Sequence, residues 1–379
     1  MAVSATEEAG ARLTIDLKAL AANYRLLAGR VGAAECAAVV KADAYGLGVE
    51  KVVPALADAG ARTFFVALPN EARQVRSLAG EATVYILNGL TPGAAATYAE
   101  IGARPVLCTA DEVAEWASFC RAAGKRLPAA LHVDTGMNRL GLSLVEARAL
   151  ARETAGALDD FELALVMSHF VSSELPDDPL NASQIADFAA LGALFAGVPA
   201  SLANSSGIFL SQQPHFDLVR PGYALYGGNP QPGLPNPMAP VVRLEARIMQ
   251  LRNVKAGATV GYNAQWTAPG PRRLATLALG YADGFPRPAG AACDRPGGGA
   301  IIAGKPCPVV GRVSMDLIVA DVTGLGEGAV RRGDWACVLG SEIGVDALGE
   351  AGGTIGYEIL TRLGRRFARI YVDGTTGAA

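Results

Sequence analysis

Apolar residues recur in short consecutive runs, separated by longer stretches with helical spacing. The runs fall at 37–40 (AAVV), 63–67 (TFFVA), 83–87 (TVYIL), 104–108 (RPVLC), 129–134, 162–168, 200–204 and 217–220. Consecutive rather than alternating apolar positions predict strands buried on both faces. Between them lie helical patterns at 49–59, 71–78, 110–123, 144–154 and 184–194. Residues 14–30 carry Ile15, Leu17, Leu20, Tyr24 and Leu27 at helical spacing, which predicts one helix with Asp16 as an anion near its start. Eight βα units over roughly 200 residues is the count and length of a (β/α)8 barrel. A doubly wound open sheet is the alternative for the same alternation. The absence of a GxGxxG turn after the first strand weighs against its dinucleotide-binding form.

The pattern changes near Gly227. The stretch 227–240, GGNPQPGLPNPMAP, reads as a linker, and beyond it the segments are short and β-branched with glycine turns. Candidate strands there are 247–251, 258–262, 274–279, 308–311, 317–322, 335–339 and 367–372, with one helical stretch at 355–363. Residues 289–299, containing PGGG, read as a mobile surface loop. The expected organisation is an N-terminal extension (1–11), a barrel (12–235) and a C-terminal mostly-β domain (236–379).

Composition narrows the function classes. At 379 residues the chain exceeds what one core usually serves. A net charge of −3 without a basic run argues against nucleic acid, and no apolar run is long enough to span a bilayer. Three histidines without HExxH or clustering argue against a metal centre. The six cysteines show no metal-type pairing, and several lie in apolar runs and look like reduced core residues of a cytoplasmic protein. The opening MAVSATEEAG has no basic cluster or apolar core of a secretory signal.

In a barrel, chemistry gathers at the C-terminal ends of strands. Those ends carry Lys41 and Tyr45, then Asp134 and Arg139, His169, Asn204 and Ser205, and Arg220 with Gly222. A lysine leaving an apolar strand either lays its stem on the core with its head in water or serves as a desolvated nucleophile. Ser205 alone would suit a helix cap and Arg220 a structural ion pair. Together, a nucleophilic amine, an aromatic hydroxyl, small residues that admit a phosphate and an arginine for a ring nitrogen suit a phosphorylated aldehyde cofactor.

The segments VVKADAYGLG, HVDTGMNRLG, ANSSG, LVRPGYALYG, VGYNAQW, LGYADGFPR, GRVSMD and TIGYEILTRLGRRFARIY stand in the order of the bacterial alanine racemases, which the chain resembles from about residue 12 to 372. The resemblance implies a barrel holding pyridoxal 5′-phosphate (PLP), a C-terminal β domain, and a homodimer with shared sites. It implies interconversion of L- and D-alanine, supplying D-alanine for peptidoglycan. Lys41 matches the Schiff-base lysine and base on one face of the substrate, and Tyr262 the base on the other face, donated by the partner. Tyr45, Asn204, Ser205, Gly222 and Tyr357 match positions around the cofactor, mostly near its phosphate. Arg220 matches the arginine at the ring nitrogen and His169 the histidine packed near the ring. Arg139, Met315 and Asp316 match positions near the substrate carboxylate, and Tyr281 an entrance-channel tyrosine.

Racemisation removes a proton from one face of Cα and returns one to the other, so two bases are the economical design. A phenol is a weak base in water, so Tyr262 needs a polar neighbour, which His169 beside Arg220 would provide. An arginine keeps its proton, leaving the ring nitrogen neutral and the electron sink weak, which favours reprotonation over transamination. Two positions depart from the family pattern. Many members have, two residues before the aspartate of DTGM, a lysine that is carbamylated beside the arginine; here that position is His132, which cannot carry a carbamate. Leu317 replaces a common glutamine at what reads as a strand residue. The competing readings are a racemase of serine or broader scope, a PLP-dependent decarboxylase, which usually places an acid at the ring nitrogen, and a non-catalytic PLP carrier, which would lack the second domain.

Overall fold

The computed structural model describes residues 8–152 and 156–373. Residues 1–7 of the expected N-terminal extension, and 153–154 of the expected helix 144–154, lie outside the described residues.

The first element corrects the expectation for residues 14–30. Ala11–Asp16 is a strand, β1, with Ala11, Leu13 and Ile15 buried on alternate positions, and the helix α1 begins only at Leu17, running to Arg30. Asp16 is its N-cap, accepting from the Ala19 N–H at 2.9 Å. The period of two was masked because it merges without a break into the helical spacing that follows.

The next eight strand positions form the barrel. Glu35–Cys36 (β2) and Ala38–Val39 (β3) are one strand interrupted at Ala37. Then come α2 (Val49–Ala59), β4 (Thr63–Val66), α3 (Pro69–Leu78), β5 (Thr83–Ile86), α4 (Ala95–Ile101), β6 (Arg104–Leu107), α5 (Ala110–Ala123), β7 (Pro128–His132) and α6 (Leu144–Arg152). They are followed by β8 (Glu162–Met167), α7 (Pro179–Gly192), β9 (Ala200–Ser201) and β10 (Leu218–Val219). Strands β3 to β9 pair in parallel in sequence order. β10 closes the ring by pairing with β2, Leu218 opposite Glu35 and Val219 opposite Cys36. On its other side Asp217 and Arg220 donate to the carbonyls of Ala200 and Ala203. The interior is apolar, with Phe64, Val66, Val84, Ile86, Val106 and Leu131 fully buried, as expected of strands covered by helices on one face and filling the barrel on the other.

The stretch 227–240 is not a loose linker. Asn23 donates to the carbonyls of Leu225 and Ala239, and Asn236 to that of Gly227. A Cβ on Gly227, at φ +90°, would meet Ala239 O at 2.9 Å. Beyond it run β11 (Val242–Val254), β12 (Thr259–Val260), β13 (Trp266–Thr267), β14 (Arg272–Leu277), β15 (Gly299–Ile302), β16 (Lys305–Pro308), β17 (Ile318–Asp321) and β18 (Trp335–Leu339). The helices α8 (Val345–Ala351) and α9 (Gly356–Thr361) precede β19 (Ala368–Val372). The main sheet has the order β16-β15-β18-β11-β1-β19, with β14 on β11 and β17 on β14.

β1 therefore belongs to the sheet of the C-terminal unit, antiparallel to β11 and parallel to β19. The Arg12 and Arg247 guanidinium groups lie 4.4 and 4.2 Å from the Trp335 ring centroid, and Arg12 donates to the buried Glu245 at 2.6 Å. The PGGG segment, read as a mobile loop, is packed. Gly298 N–H donates to Ala289 O at 2.8 Å, Arg295 donates to the carbonyls of Pro288 and Gly290, and a Cβ on Gly297 would meet Ala291 N and Val309 O at 2.7 Å. Leu317 lies just before β17, 41% exposed, rather than within a strand.

Candidate active site

The barrel mouth is built on the turn after β3. Val39 and Val40 donate to the carbonyls of Pro221 and Phe65, so the chain is still held as a strand when it reaches Lys41. It then reverses hand. Ala42, Asp43, Ala44 and Tyr45 all have φ near +55°, a single left-handed turn made of residues with side chains. Each such residue costs about 1–2 kcal/mol relative to the right-handed form, so the surroundings must hold the turn. Glu71, third residue of α3, does part of this. Its carboxylate accepts from the N–H groups of Ala42 (2.7 Å), Ala67 (2.7 Å) and Leu68 (3.1 Å). Asp43 accepts from Val49 N–H at 2.8 Å and so starts α2.

The reversal leaves the Lys41 amine partly desolvated. Burial lowers its pKa, the Arg139 charge lowers it further, and Glu71 opposes them. Arg220, from the end of β10, is 4% exposed. It donates through Nη1 to Ser201 Oγ and through Nη2 to Ser168 O (2.5 Å) and His169 Nδ1 (3.3 Å). Burial pulls the Arg220 pKa down to about 9, so it remains a cation at neutral pH. A cationic donor fixes His169 Nδ1 as the acceptor, leaving Nε2 to carry the proton of the neutral ring. Burial, then the charges of Arg220, Arg139 and Lys41, hold the His169 pKa well below its ordinary value. Ser168 is itself fixed, its hydroxyl 2.7 Å from that of Thr135, to which Gln184 donates.

Opposite this cationic edge lies a cradle of small groups. Ser205 Oγ accepts from the N–H groups of Gly222 (3.0 Å) and Ala224 (3.2 Å). A Cβ on Gly222 would overlap the Tyr45 hydroxyl, so only glycine leaves this approach open. Tyr45 stacks on Tyr226 with centroids 4.6 Å apart, and its ring lies 6.3 Å from that of Tyr357. Tyr357 in turn stacks on Tyr223 at 3.9 Å and donates to Glu174 at 3.4 Å. The Tyr223 hydroxyl donates to Asp346 at 2.6 Å, which bolts the barrel to α8. Burial raises the pKa of both Tyr45 and Tyr357, so neither is an anion at neutral pH.

Lys41, Tyr45, His169, Ser205, Arg220, Gly222 and Tyr357 are thus gathered at one mouth. Asn204 is beside them in a supporting position, its Oδ1 accepting from Ser173 Oγ (2.9 Å) and Gly207 N–H (2.8 Å). Arg139 is exposed and forms no hydrogen bond or ion pair with the described residues, although its charge is felt at Lys41, His132 and His169. His132 is buried at the end of β7, its Nδ1 3.9 Å from Cys108 Sγ. The other predicted residues form a separate rim. Tyr262, Met315 and Tyr281 are 67, 53 and 41% exposed. The backbone holds the Tyr281 and Met315 segments together, Tyr281 N–H donating to Ser314 O and Ala282 N–H to Met315 O, both at 3.0 Å. Asp316 pairs with Arg366 at 2.8 Å. Among the described residues no hydrogen bond, ion pair or ring contact joins Tyr262, Tyr281, Met315 or Asp316 to the Lys41 group.

Several supporting residues were not anticipated. Ser168 and Ser201 hold Arg220, and Glu174 holds Tyr357. Only Glu71 carried a signal, a proline at the first helical position followed by an acid at the third, and that signal indicates a helix start rather than a site.

The family profile described as "Alanine racemase, N-terminal domain" matches residues 15–230, and that described as "Alanine racemase, C-terminal domain" matches residues 241–371. An alanine racemase of Methylobacterium sp. (strain 4-46) is 57% identical over 371 residues, covering 98% of this chain and all of that protein. The chain is also 45% identical to a catabolic alanine racemase and 44% identical to a biosynthetic one, both of Agrobacterium fabrum (strain C58 / ATCC 33970), covering 98 and 97% of this chain and 96 and 95% of those proteins. Among solved structures, alanine racemase from Bartonella henselae with covalently bound pyridoxal phosphate superposes with a TM-score of 0.90 at 40% identity, covering 96% of this chain and all of that one.

Proposed function

The chain belongs to the alanine racemase family, and we propose that it moves the Cα proton of alanine between two bases, Lys41 and the partner subunit's Tyr262. It is a PLP-dependent isomerase with a barrel and a mostly-β C-terminal unit. The residues at the mouth fit that cofactor on their own chemistry. A partly desolvated amine, a protonated arginine beside a neutral histidine, and a cradle kept open by Gly222 match an aldehyde, a ring nitrogen and a phosphate. Lys41 would hold the cofactor covalently, Arg220 would face the ring nitrogen and His169 the ring. Tyr45, Ser205, Gly222 and Tyr357 would receive the phosphate, with Asn204 ordering the backbone beneath. Bound PLP supplies the electron sink that makes the Cα proton of an amino acid removable.

The remaining work belongs to the side chains. Lys41, its cationic form disfavoured by burial, takes the proton from one face. Tyr262 returns one to the other, and the roles exchange for the opposite direction. Arg220 keeps its own proton and so limits how long negative charge is held away from Cα, favouring return of the proton over transfer of the amino group. Arg139 and the backbone of Met315 would receive the substrate carboxylate, with Asp316 nearby, and Tyr281 would line the approach. By the family resemblance Tyr357, whose ring stacks on Tyr223 and whose hydroxyl donates to Glu174, stands beside a small substrate pocket, which favours alanine over larger side chains.

A homodimer is part of this reading because the rim residues are exposed and, among the described residues, make no hydrogen bond, ion pair or ring contact with the mouth of their own chain. The barrel would end near residue 235, with β1 lent to the second unit. A cytoplasmic location and a role in supplying D-alanine for peptidoglycan belong to the same proposal. The six cysteines are unpaired, and no described helix is long and apolar enough to cross a membrane.

The observation that carries the proposal is geometric: Lys41 stands where β3 gives way to the left-handed turn, at the same mouth as the buried Arg220 held 3.3 Å from His169 Nδ1. The test is a panel of L-amino acids scored for loss of optical rotation and for carbon dioxide release. Rapid loss of rotation with alanine alone and no gas is expected. Carbon dioxide without racemisation would make the protein a decarboxylase, and comparable rates with serine would remove the pocket argument.

A further inference from the structure

The left-handed turn after Lys41 has its own hydrogen bonds, Gly46 N–H to Ala42 O (2.8 Å) and Gly48 N–H to Asp43 O (3.0 Å). These do not explain its hand, since L-residues make the same bonds more cheaply in the right-handed sense. What distinguishes this turn is contact from the far end of the chain. Arg369 Nη1 donates to Gly46 O at 2.8 Å, and the Tyr371 hydroxyl donates to Leu47 O at 2.9 Å. The other Arg369 nitrogen, Nη2, donates to the carbonyls of Leu363 (3.3 Å) and Gly364 (3.0 Å), tying the turn to the chain just beyond α9. Approach is close enough that side chains are excluded. A Cβ on Gly46 would overlap the Leu360 carbonyl, and one on Gly48 would overlap the Tyr371 hydroxyl. Arg369 and Tyr371 alternate along β19 and so project on one side. Their strand is registered on β1, Arg369 opposite Leu13 and Tyr371 opposite Ile15.

We infer that Arg369 and Tyr371 are positioning residues for Lys41: they clamp the carbonyls of Gly46 and Leu47 and thereby set the left-handed turn that aims the amine and seats Tyr45. Neither touches Lys41. The consequence is that each chain's C-terminal unit acts on two sites, presenting its rim to the partner while bracing the lysine of its own barrel. Small displacements of a reacting group are expensive in rate, so a brace this far along the sequence influences chemistry without reaching it. The inference rests on the proposed cofactor role of Lys41.

The test uses the full chain with Tyr371→Phe, which keeps the ring and removes one donor, and with Arg369→Met, which removes the guanidinium. Amide hydrogen exchange is measured first on PLP-free protein, so that the readout is independent of cofactor and activity. Exchange in residues 41–48 should accelerate about tenfold in either variant while β11 keeps its wild-type protection. PLP affinity should fall about tenfold, and kcat should fall by more than KM rises. Unchanged exchange in residues 41–48, or acceleration spread equally through β1, β11 and β19, would overturn the clamp. Should Arg369→Met fail to fold, Tyr371→Phe decides the matter. Wild-type protein that binds no PLP would refute the proposed function instead, and the exchange result would stand apart from it.

Discussion

The barrel mouth and the rim around Tyr262 are built on opposite plans. At the mouth most polar groups have a partner in their own chain; among the described residues only Arg139, the Lys41 amine, the Tyr45 hydroxyl and His169 Nε2 make no hydrogen bond there. Arg220 is held by Ser168, Ser201 and His169, the Gly222 amide by Ser205, and Tyr357 by Glu174. At the rim the chain exposes large side chains instead, Tyr262, Met315 and Tyr281. A region finished within its own chain binds and orients. An exposed rim of this kind is the type of surface that the proposed homodimer would complete. The contrast predicts that damage at the mouth stays with its own chain, while damage at the rim is felt in the partner's site.

The sharpest break is Lys41→Ala. Activity should fall about 10⁴-fold or more, since both the covalent anchor and one base are removed. The visible absorbance of the bound cofactor should change with it. An unchanged spectrum would take Lys41 out of the mouth's chemistry.

Mixing follows. Tyr262→Ala alone should cost about 10²–10⁴-fold. Subunits of the Lys41→Ala and Tyr262→Ala variants, dissociated and reassociated, should recover up to about half of wild-type activity per mixed dimer, because one of its two sites then draws both bases from intact residues. If mixed dimers form by mass yet remain inactive, Tyr262 acts within its own chain or is not a base.

Arg220→Glu probes the mouth at its most enclosed point. Racemisation should slow by roughly 10²-fold, the scale of removing one preorganised electrostatic partner. Transamination product should rise, because an acid at the ring nitrogen would strengthen the electron sink. Equal slowing of both reactions would mean that the substitution merely disrupts Ser168, Ser201 and His169.

How much of this was visible beforehand follows the same division. The barrel strands were legible because residues such as Phe64, Phe65 and Val66 are buried on both faces, which leaves an unbroken apolar run. Strand-end chemistry then picked out Lys41, His169, Ser205 and Arg220 without help from any relative. β1 was not legible. Its partners are β11 and β19, with Arg12 opposite Ala368, and no local periodicity reports a pairing across that much chain. The left-handed turn was hidden because Ala42 and Ala44 carry no residue-type signal for positive φ, and the forces that hold it come from Glu71 and β19. Tyr262, Met315 and Tyr281 carried no spacing or residue-type signal of their own. Their proposed roles came from the family resemblance alone, because in that reading they meet atoms of a second chain, which no local pattern reports.

The smallest effect concerns His132, which sits at the mouth where the Arg220 and Arg139 charges reach it. Burial first, then the Arg220 charge, pulls its pKa from 6.5 down to about 4, with Asp134 opposing and Arg139 adding to the shift. The folded protein therefore resists protonating a ring that the unfolded chain protonates near pH 6.5. As pH falls from 7 the unfolded state takes up the proton first, so stability present above pH 6.5 is lost progressively toward pH 4. By pH 5 this one group accounts for about 2 kcal/mol. Denaturant titrations at a fixed protein concentration should show wild type losing about that much more than His132→Asn between pH 7 and pH 5. Equal losses would mean that His132 is charged in the folded state. The same neutral ring cannot hold a carbamate, so bicarbonate should leave wild-type activity unchanged. A bicarbonate-dependent rate would show that Arg139 is oriented by a carbamate elsewhere in the mouth, and would remove His132 as its neighbour of consequence.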